Sequence, residues 1–529
     1  MHQKLIKKII IFSMLFATSF SALALDDEMT RNFGHNFFAN HSQGNDFSRR
    51  LVGVTPQFLV PCDTDCLNGF FAVVPTYMRS FDRDEIGDYF FFNGTNSMTF
   101  GAQAGAGIDV FGRNFYLNDQ FNGLLTALPQ VENFVADFQI RVNFDEWVSG
   151  LYAELFVPIN WTSWKMSFDQ TVNSTGQFIA ANQLGNITNV GSPIGSIKTA
   201  FNGQILSPNL PDLKQTLQYG RVDDETNSGK KSKVSVADVE LVVGYNFLCC
   251  DVYHVGIDIR GVFPTGNRPE AIFLFEAISG NGKHFEVGGG LNAHYEFWNN
   301  CCDSSFSGWL QGAIYHMFKA KQRRIFDLKN ADGTQNIGSN RLLIKRYAND
   351  VYAGEVLFGP NVLARECKVS NSVHANLVAL FDYKRCGFNL DVGYEFWART
   401  KDKLVITQPI PENTFGVAGD SGTVGTVDIP NPNVNRTASR TTISGANATA
   451  FDGVTADDNV YITTDSLSID SAINPTALSH KIFAHVSYVW DNCDYSPFLG
   501  IGGNVEFSGK KNFAFNQWAV WVKGGFAFS

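Results

Sequence analysis

Residues 237–263 read ADVELVVGYNFLCCDVYHVGIDIRGVF. Ala237, Val239, Leu241, Val243, Tyr245 and Phe247 alternate with Asp238, Glu240, Gly244 and Asn246. After Cys249-Cys250-Asp251 the alternation resumes, with Tyr253, Val255, Ile257 and Ile259 against His254, Asp258 and Arg260. Successive side chains of a strand point to opposite faces, so each run is a strand with one apolar and one polar face. Both runs are about twice the usual five or six residues of a strand. They match the roughly 9–11 residues of a tilted membrane-crossing strand.

The same pattern recurs along the chain. Phe134, Ala136, Phe138, Ile140, Val142 and Phe144 oppose Asp137, Gln139, Arg141 and Asn143. Phe285, Val287, Leu291, Ala293, Tyr295 and Phe297 oppose His284, Glu286, Asn292, His294 and Glu296. Phe388, Leu390, Val392, Tyr394 and Phe396 oppose Asn389, Asp391, Glu395 and Arg399. Aromatic residues gather at the ends of these runs, as in the interfacial girdles of outer-membrane barrels. The periodicity predicts strands at 69–81, 97–109, 132–145, 148–158, 161–170, 232–248, 252–264, 283–299, 304–319, 371–384, 387–400, 478–490, 495–507 and 512–528. The expected fold is an all-β, transmembrane, antiparallel up-and-down barrel of about 14 strands. Sixteen is the alternative if 341–358 adds a pair. Trp518, Val520, Val522, Phe526 and Phe528 share a face of the last strand, resembling the C-terminal signal of such barrels, although Ser529 follows the final Phe.

Composition agrees. Of 529 residues 14% are aromatic and 17% charged, against about 25% charged in an ordinary soluble domain. A mean hydropathy of -0.08 is far too polar for a helical membrane protein. The sequence pI near 5.5 argues against a nucleic-acid partner. Lys4, Lys7 and Lys8, an apolar run and Ala22-Leu23-Ala24 read as a cleaved bacterial signal peptide over 1–24. Residues 25–68, with Phe37-Phe38 and Arg49-Arg50, read as a periplasmic segment or a lumenal plug, and 69–529 as the barrel. The expected address is the outer membrane of a Gram-negative-type bacterium, in contact with its lipid and lipopolysaccharide.

Periplasmic turns of such barrels are short and external loops long. The stretches after 170, 319 and 400 are therefore external, and the turns at 249–251, 300–303, 385–386 and 491–494 periplasmic. The segment 110–131 breaks this rule: it is a long connection on the short-turn side, read as holding a short helix at Asn122–Leu128. The turns carry Cys249, Cys250, Cys301, Cys302, Cys386 and Cys493, and Cys62 and Cys66 precede the first strand; all eight are disulfide candidates in an oxidising periplasm. Their pairing stays open, within the rim or between neighbouring copies. Barrel character, size and cysteine content resemble the porins of the chlamydial major outer membrane protein type. That resemblance implies crosslinks to neighbours or a homo-oligomer.

The polar faces line the expected lumen. Its acids are Asp137, Glu154, Asp238, Glu240, Asp258, Glu286, Glu296, Asp382, Asp391, Glu395 and Glu506; its bases are Arg141, Arg260, Lys384, Arg399, Lys481 and Lys523, with His284 and His294 alongside. Such rings tune pore selectivity, here toward cations; the alternative is that the charges pair and close the lumen. Arg323, Arg324, Arg341, Lys345 and Arg346 are candidates for an inward-folded constriction loop. No nucleophile elbow, His-Glu-x-x-His or phosphate loop occurs, and the histidines lie on separate strands, so neither catalysis nor a cofactor is expected. The cysteine turns lack His for a zinc site, and the acidic loop at 404–478 lacks regular calcium-ligand spacing. The reading is a porin-like channel for passive diffusion of small hydrophilic solutes or ions. A plugged structural barrel with an adhesive or crosslinking role is the alternative.

Overall fold

The computed structural model describes residues 33–38, 41–53, 67–91, 93–101, 109–115, 117, 121–176, 195–202, 215–222, 230–250, 252–300, 304–330, 333–349, 351–417, 423–424, 427–428, 461–490, 495–509 and 516–528. The signal peptide and Cys62, Cys66, Cys301, Cys302 and Cys493 lie outside them.

Twelve strands form a closed antiparallel ring. In chain order they are β1 Asn68–Ser80, β2 Gln130–Asn143, β3 Leu151–Lys165, β4 Val239–Cys250, β5 Tyr253–Phe263, β6 Glu286–Asn299, β7 Ser304–Ile325, β8 Ala364–Arg385, β9 Phe388–Arg399, β10 Ala477–Val489, β11 Tyr495–Ser508 and β12 Gln517–Phe528. Each pairs with its neighbour in sequence, and β12 returns to β1 through Gly69↔Phe528 to Ser80↔Gln517. Closure leaves no free edge.

Fourteen or sixteen strands is thus corrected to twelve. The runs 148–158 and 161–170 are one strand: β3 continues through Pro158 and there changes partner, from Glu240–Tyr245 of β4 to the strand Lys230–Val236. Proline has no N–H, so it interrupts a ladder without ending the strand. The described residues of the run 97–109 are not in the barrel. Ser97–Gly101 instead joins Val110–Phe111, Asn122–Ala127 and Phe168–Ser174 in a small separate sheet. Asn122–Ala127 is therefore a strand, not a helix. The pair inside 341–358 exists, as Leu343–Ala348 and Val351–Phe358, but it too lies outside the ring. Removing 97–109 from the count dissolves the anomalous connection at 110–131. Residues 81–129 become one long loop, and every long connection then falls on one end of the ring.

The short turns occupy the other end. Cys386 (φ 49) and Gly387 (φ 82) both adopt left-handed backbone between β8 and β9, the geometry of a tight two-residue hairpin. No helix among the described residues is long and apolar enough to cross a membrane. The outer wall of the ring is apolar: Ile259 is 71% exposed, Ile501 65%, Ile482 60% and Ile257 54%. Aromatic rings frame this band. Phe388, Tyr488 and Trp490 cluster at the short-turn end, and Phe263, Phe285 and Phe318 at the other.

The long loops build two cores of their own. Phe90, Phe91, Phe100, Phe121, Phe168, Phe201 and Phe275 fill one; Phe326, Leu328, Ile344, Leu363, Ile410 and Leu467 fill the other. The second is organised by the buried carboxylate of Asp327, which accepts from the backbone of Asn340 (3.0 Å) and Gly338 (3.2 Å) and from Gln335 Nε2 (2.8 Å). Burial raises its pKa above the usual carboxylate range. Replacing it by Ala strands several buried donors, at about 1–3 kcal/mol each. Asp327→Ala is expected to make residues 326–363 susceptible to limited proteolysis while the barrel still migrates as a folded, heat-modifiable species.

Candidate functional site

The polar faces of β2 to β12 point into the ring, but they do not surround an open hole. Residues 41–53 run through it. Asp46 caps a short helix, α1 (Phe47–Leu51), accepting from the backbone N of Arg49 at 3.0 Å. The helix is entirely buried. Its N-terminal amides face the wall: Ser48 N and Phe47 N donate to Glu395 of β9 at 3.1 and 3.4 Å. Its C-terminal carbonyls of Arg49 and Arg50 accept from Lys523 Nζ of β12 at 3.0 and 2.8 Å. An acid at the start and a cation at the end match the helix dipole.

Charged side chains complete the attachment. Lys481 of β10 bridges Asp46 at 3.0 Å and Glu395 at 3.2 Å. Arg50 pairs with Glu240 of β4 at 2.7 Å, its guanidinium 3.8 Å from the Phe156 ring centroid. His41 meets Glu506 of β11 at 3.2 Å, and Asn376 of β8 donates to Asn45 at 2.9 Å. Gly53, in left-handed backbone (φ 80), donates its N–H to Asp391 of β9 at 2.8 Å. Toward the long-loop end, Phe38 packs against Tyr89, Trp164 and Phe275, and Asn36 N donates to Ser471 O.

The remaining lumen candidates pair along the wall. Arg141 meets Glu154 at 2.7 Å, Arg260 meets Asp258 at 2.6 Å, and His374 meets Glu286 at 2.7 Å. Gly290 leaves the space Asp258 needs, since a Cβ there would lie 2.3 Å from its carboxylate. His294 lies against Trp309, centroids 4.2 Å apart. Arg399 pairs with Asp402, and Asp382 and Asp391 face each other across β8 and β9. Glu296 is half-buried and accepts from Asn299; Lys384 is half-buried near the short-turn end. Asp238 and His284 are buried just beyond the strands: Asp238 accepts from Asn281 N at 2.6 Å, and His284 Nδ1 bonds Phe318 O at 2.7 Å.

The expected basic constriction does not assemble. Arg324 alone enters the lumen, over the ring of Phe37 and 3.7 Å from Asp402. Arg323 points outward to Glu366, and Arg346 is exposed beside Glu355. Arg341 and Lys345 are buried in the loop layer, Arg341 donating to Gly220 O at 2.9 Å. Burial lowers the Arg341 pKa to about 10. Sequence reasoning left residues 25–68, with Arg49-Arg50, as either a lumenal plug or a periplasmic segment, and did not single out Asp46. Their signal was local, an Asp cap followed by Arg-Arg and flanked by aromatics. Arg49, Arg50 and Asp46 together lower the acidic excess expected from the wall by only one charge. Of the cysteine candidates, Cys250 and Cys386 carry free thiols; Cys386 is exposed at its turn tip, away from any second described cysteine in that turn. Among the described residues no group of acids, histidines and cysteines is arranged to hold a metal.

The space left around residues 41–53 is small. A cavity of about 40 Å³ lies between His41, Arg50, Glu240, Glu286, His374 and Trp397. That holds about one water.

No family model and no curated protein matches the chain, so the resemblance to chlamydial porins gains no support from sequence comparison. Solved structures align over most of its length. An outer membrane channel from Pseudomonas putida F1 has 9% identity and a TM-score of 0.31, covering 87% of this chain and 96% of its own. The CymD monoaromatic hydrocarbon channel has 10% identity and a TM-score of 0.27, covering 93% and 94%. A Pseudomonas aeruginosa FadL homologue has 8% identity and a TM-score of 0.25, covering 87% and 89%. Likeness at this level assigns no family.

Lys481 is the hub of the attachment, since its removal leaves both Asp46 and Glu395 buried without their cation. Breaking a buried pair costs about 3–5 kcal/mol. Lys481→Met is expected to lower the unfolding midpoint of the purified protein, and Lys481→Met with Glu395→Gln to recover part of the loss.

Proposed function

We propose that this chain is an outer-membrane channel held closed by its own N-terminal segment. One observation carries the reading: residues 41–53 fill a closed ring whose outer wall is apolar and framed by aromatic girdles. Soluble proteins rarely expose an apolar patch beyond a few hundred Å², whereas a membrane barrel needs such a band. The lumen supports the choice of solute. Its wall carries rings of buried charges and amides, which suit small hydrophilic solutes, beside an apolar patch that packs against Phe47 and Leu51 of the segment. Passage is passive diffusion, without catalysis, once the segment leaves or shifts. The alternative is a permanently closed structural barrel, favoured by the density of ion pairs in the lumen. Its exposed Cys386 thiol would then link neighbouring copies.

Planar-bilayer recording separates the two. The full-length protein is expected to be nearly silent. Deletion of 33–53, and separately the Lys481→Met variant, are expected to give stepwise conductance. A deletion variant that folds, shifts on heating and still fails to conduct overturns the channel. Thiol-reducible dimers in native envelopes, lost in Cys386→Ser, then mark the structural role.

A further inference from the structure

A second cavity lies outside the lumen. With a volume of about 220 Å³, on the order of seven waters, it opens at the long-loop end of β7. Four parts of the chain build it, and its lining includes two carboxylates, Glu270 beside Arg268 and Glu366 of β8 beside Arg323, with Lys368 just outside the lining. Lys321 and Arg323 come from the outward face of β7, alternating with inward Gln322 and Arg324. Arg268 and Pro269 come from the loop between β5 and β6, which is clasped to the strand by Arg323 N donating to Pro269 O at 3.0 Å. Tyr219, from the loop between β3 and β4, closes it, its ring centroid 4.8 Å from the Arg323 guanidinium.

Its height on the wall is informative. On the outer face of β7, Phe306 and Phe318 mark the two aromatic girdles. Twelve residues of strand tilted about 40° rise roughly 30 Å, the thickness of a hydrocarbon core. Lys321 and Arg323 come next after Phe318, at headgroup level. Across the ladder Lys321 stands directly opposite Lys368 of β8. Like charges in that position repel, and among the described residues neither lysine has an ion-pair partner. An anion between them removes the repulsion and supplies both.

From this we infer a binding site for a phosphate-bearing headgroup of the outer-leaflet lipid, the phosphorylated disaccharide of lipopolysaccharide. Lys321 and Lys368 take the phosphate as point charges. Arg323, already oriented by Tyr219 and by Glu366 at 3.3 Å, supplies planar donors. The acyl chains lie down the wall over Phe318, Phe285 and Phe263. The inference rests on the membrane-spanning reading above, not on whether the lumen opens.

Full-length protein in detergent, mixed with diphosphoryl lipid A and examined by native mass spectrometry, tests it. Wild type is expected to retain one lipid A, and Lys321→Gln/Lys368→Gln to weaken retention at least tenfold. Arg268→Gln, on a separate loop, is expected to weaken it less, and Lys321→Arg to preserve it. Dephosphorylated lipid A and phosphatidylcholine are expected to be lost. Equal retention by wild type and the double variant overturns the site. So does displacement of lipid A by millimolar inorganic phosphate, which marks a free-anion pocket. Insertion into vesicles with heat-modifiable mobility is scored in parallel. A protein that inserts but fails these tests loses only this site, whereas one that cannot insert loses the membrane reading itself.

Discussion

A buried carboxylate or ammonium is tolerated only beside a partner of opposite charge or several hydrogen-bond donors. That constraint organises this molecule. Glu240, Glu395, Asp391, Glu506, Lys481 and Lys523 all sit on the inner wall, and each is at most 3% exposed. None is buried by the wall alone. Each meets a backbone or side-chain group of residues 41–53, and the alternation that gives the strands an apolar exterior is what brings these charges inward. The segment and the wall are therefore complementary halves of a single polar core.

The core inverts the usual arrangement. In a soluble domain apolar residues pack inside and charges face water; here the apolar residues face out and the charges pack. The Phe content of the chain divides accordingly. Ile257, Ile259 and Phe318 lie on the outer wall, while Phe90, Phe100 and Phe121 fill the loop layer, which packs like an ordinary soluble domain. The two layers are joined through the N-terminal segment. Phe37 and Phe38 reach the loop layer and Arg50 reaches Glu240, so movement in one layer is felt in the other.

Period-two alternation placed a run on each of the twelve barrel strands, because a wall between lipid-like and polar surroundings leaves no freedom in which side chains face out. It failed where that constraint is absent. The run 97–109 reads as a barrel strand too, yet its described part Ser97–Gly101 serves a small sheet in the loops, whose two faces have no fixed chemistry. The runs 148–158 and 161–170 read as two strands where β3 is continuous and only changes partner. Most lumen-facing charges were readable for the same reason as the strands. Their partners were not, because Asp46, Arg49 and Arg50 sit in a short irregular segment whose geometry exists only inside the finished ring. Arg346 and Arg323 looked alike in sequence to Arg324, and only register decides which of them points inward.

The route of the N-terminal segment bears on assembly. β1 begins at the short-turn end, while Asn36 is already bonded to Ser471 among the long loops. The segment thus spans the interior from end to end, and the ring is sealed where β12 meets β1, the last strand against the first. Threading a charged chain through a finished ring would strip water from Asp46, Arg49 and Arg50 before their partners were in reach. Closing the ring around a segment already in place avoids that barrier. The final seam would then be the step that commits the segment to the interior, and the charges of β9 to β12 would gather on it as those strands arrive.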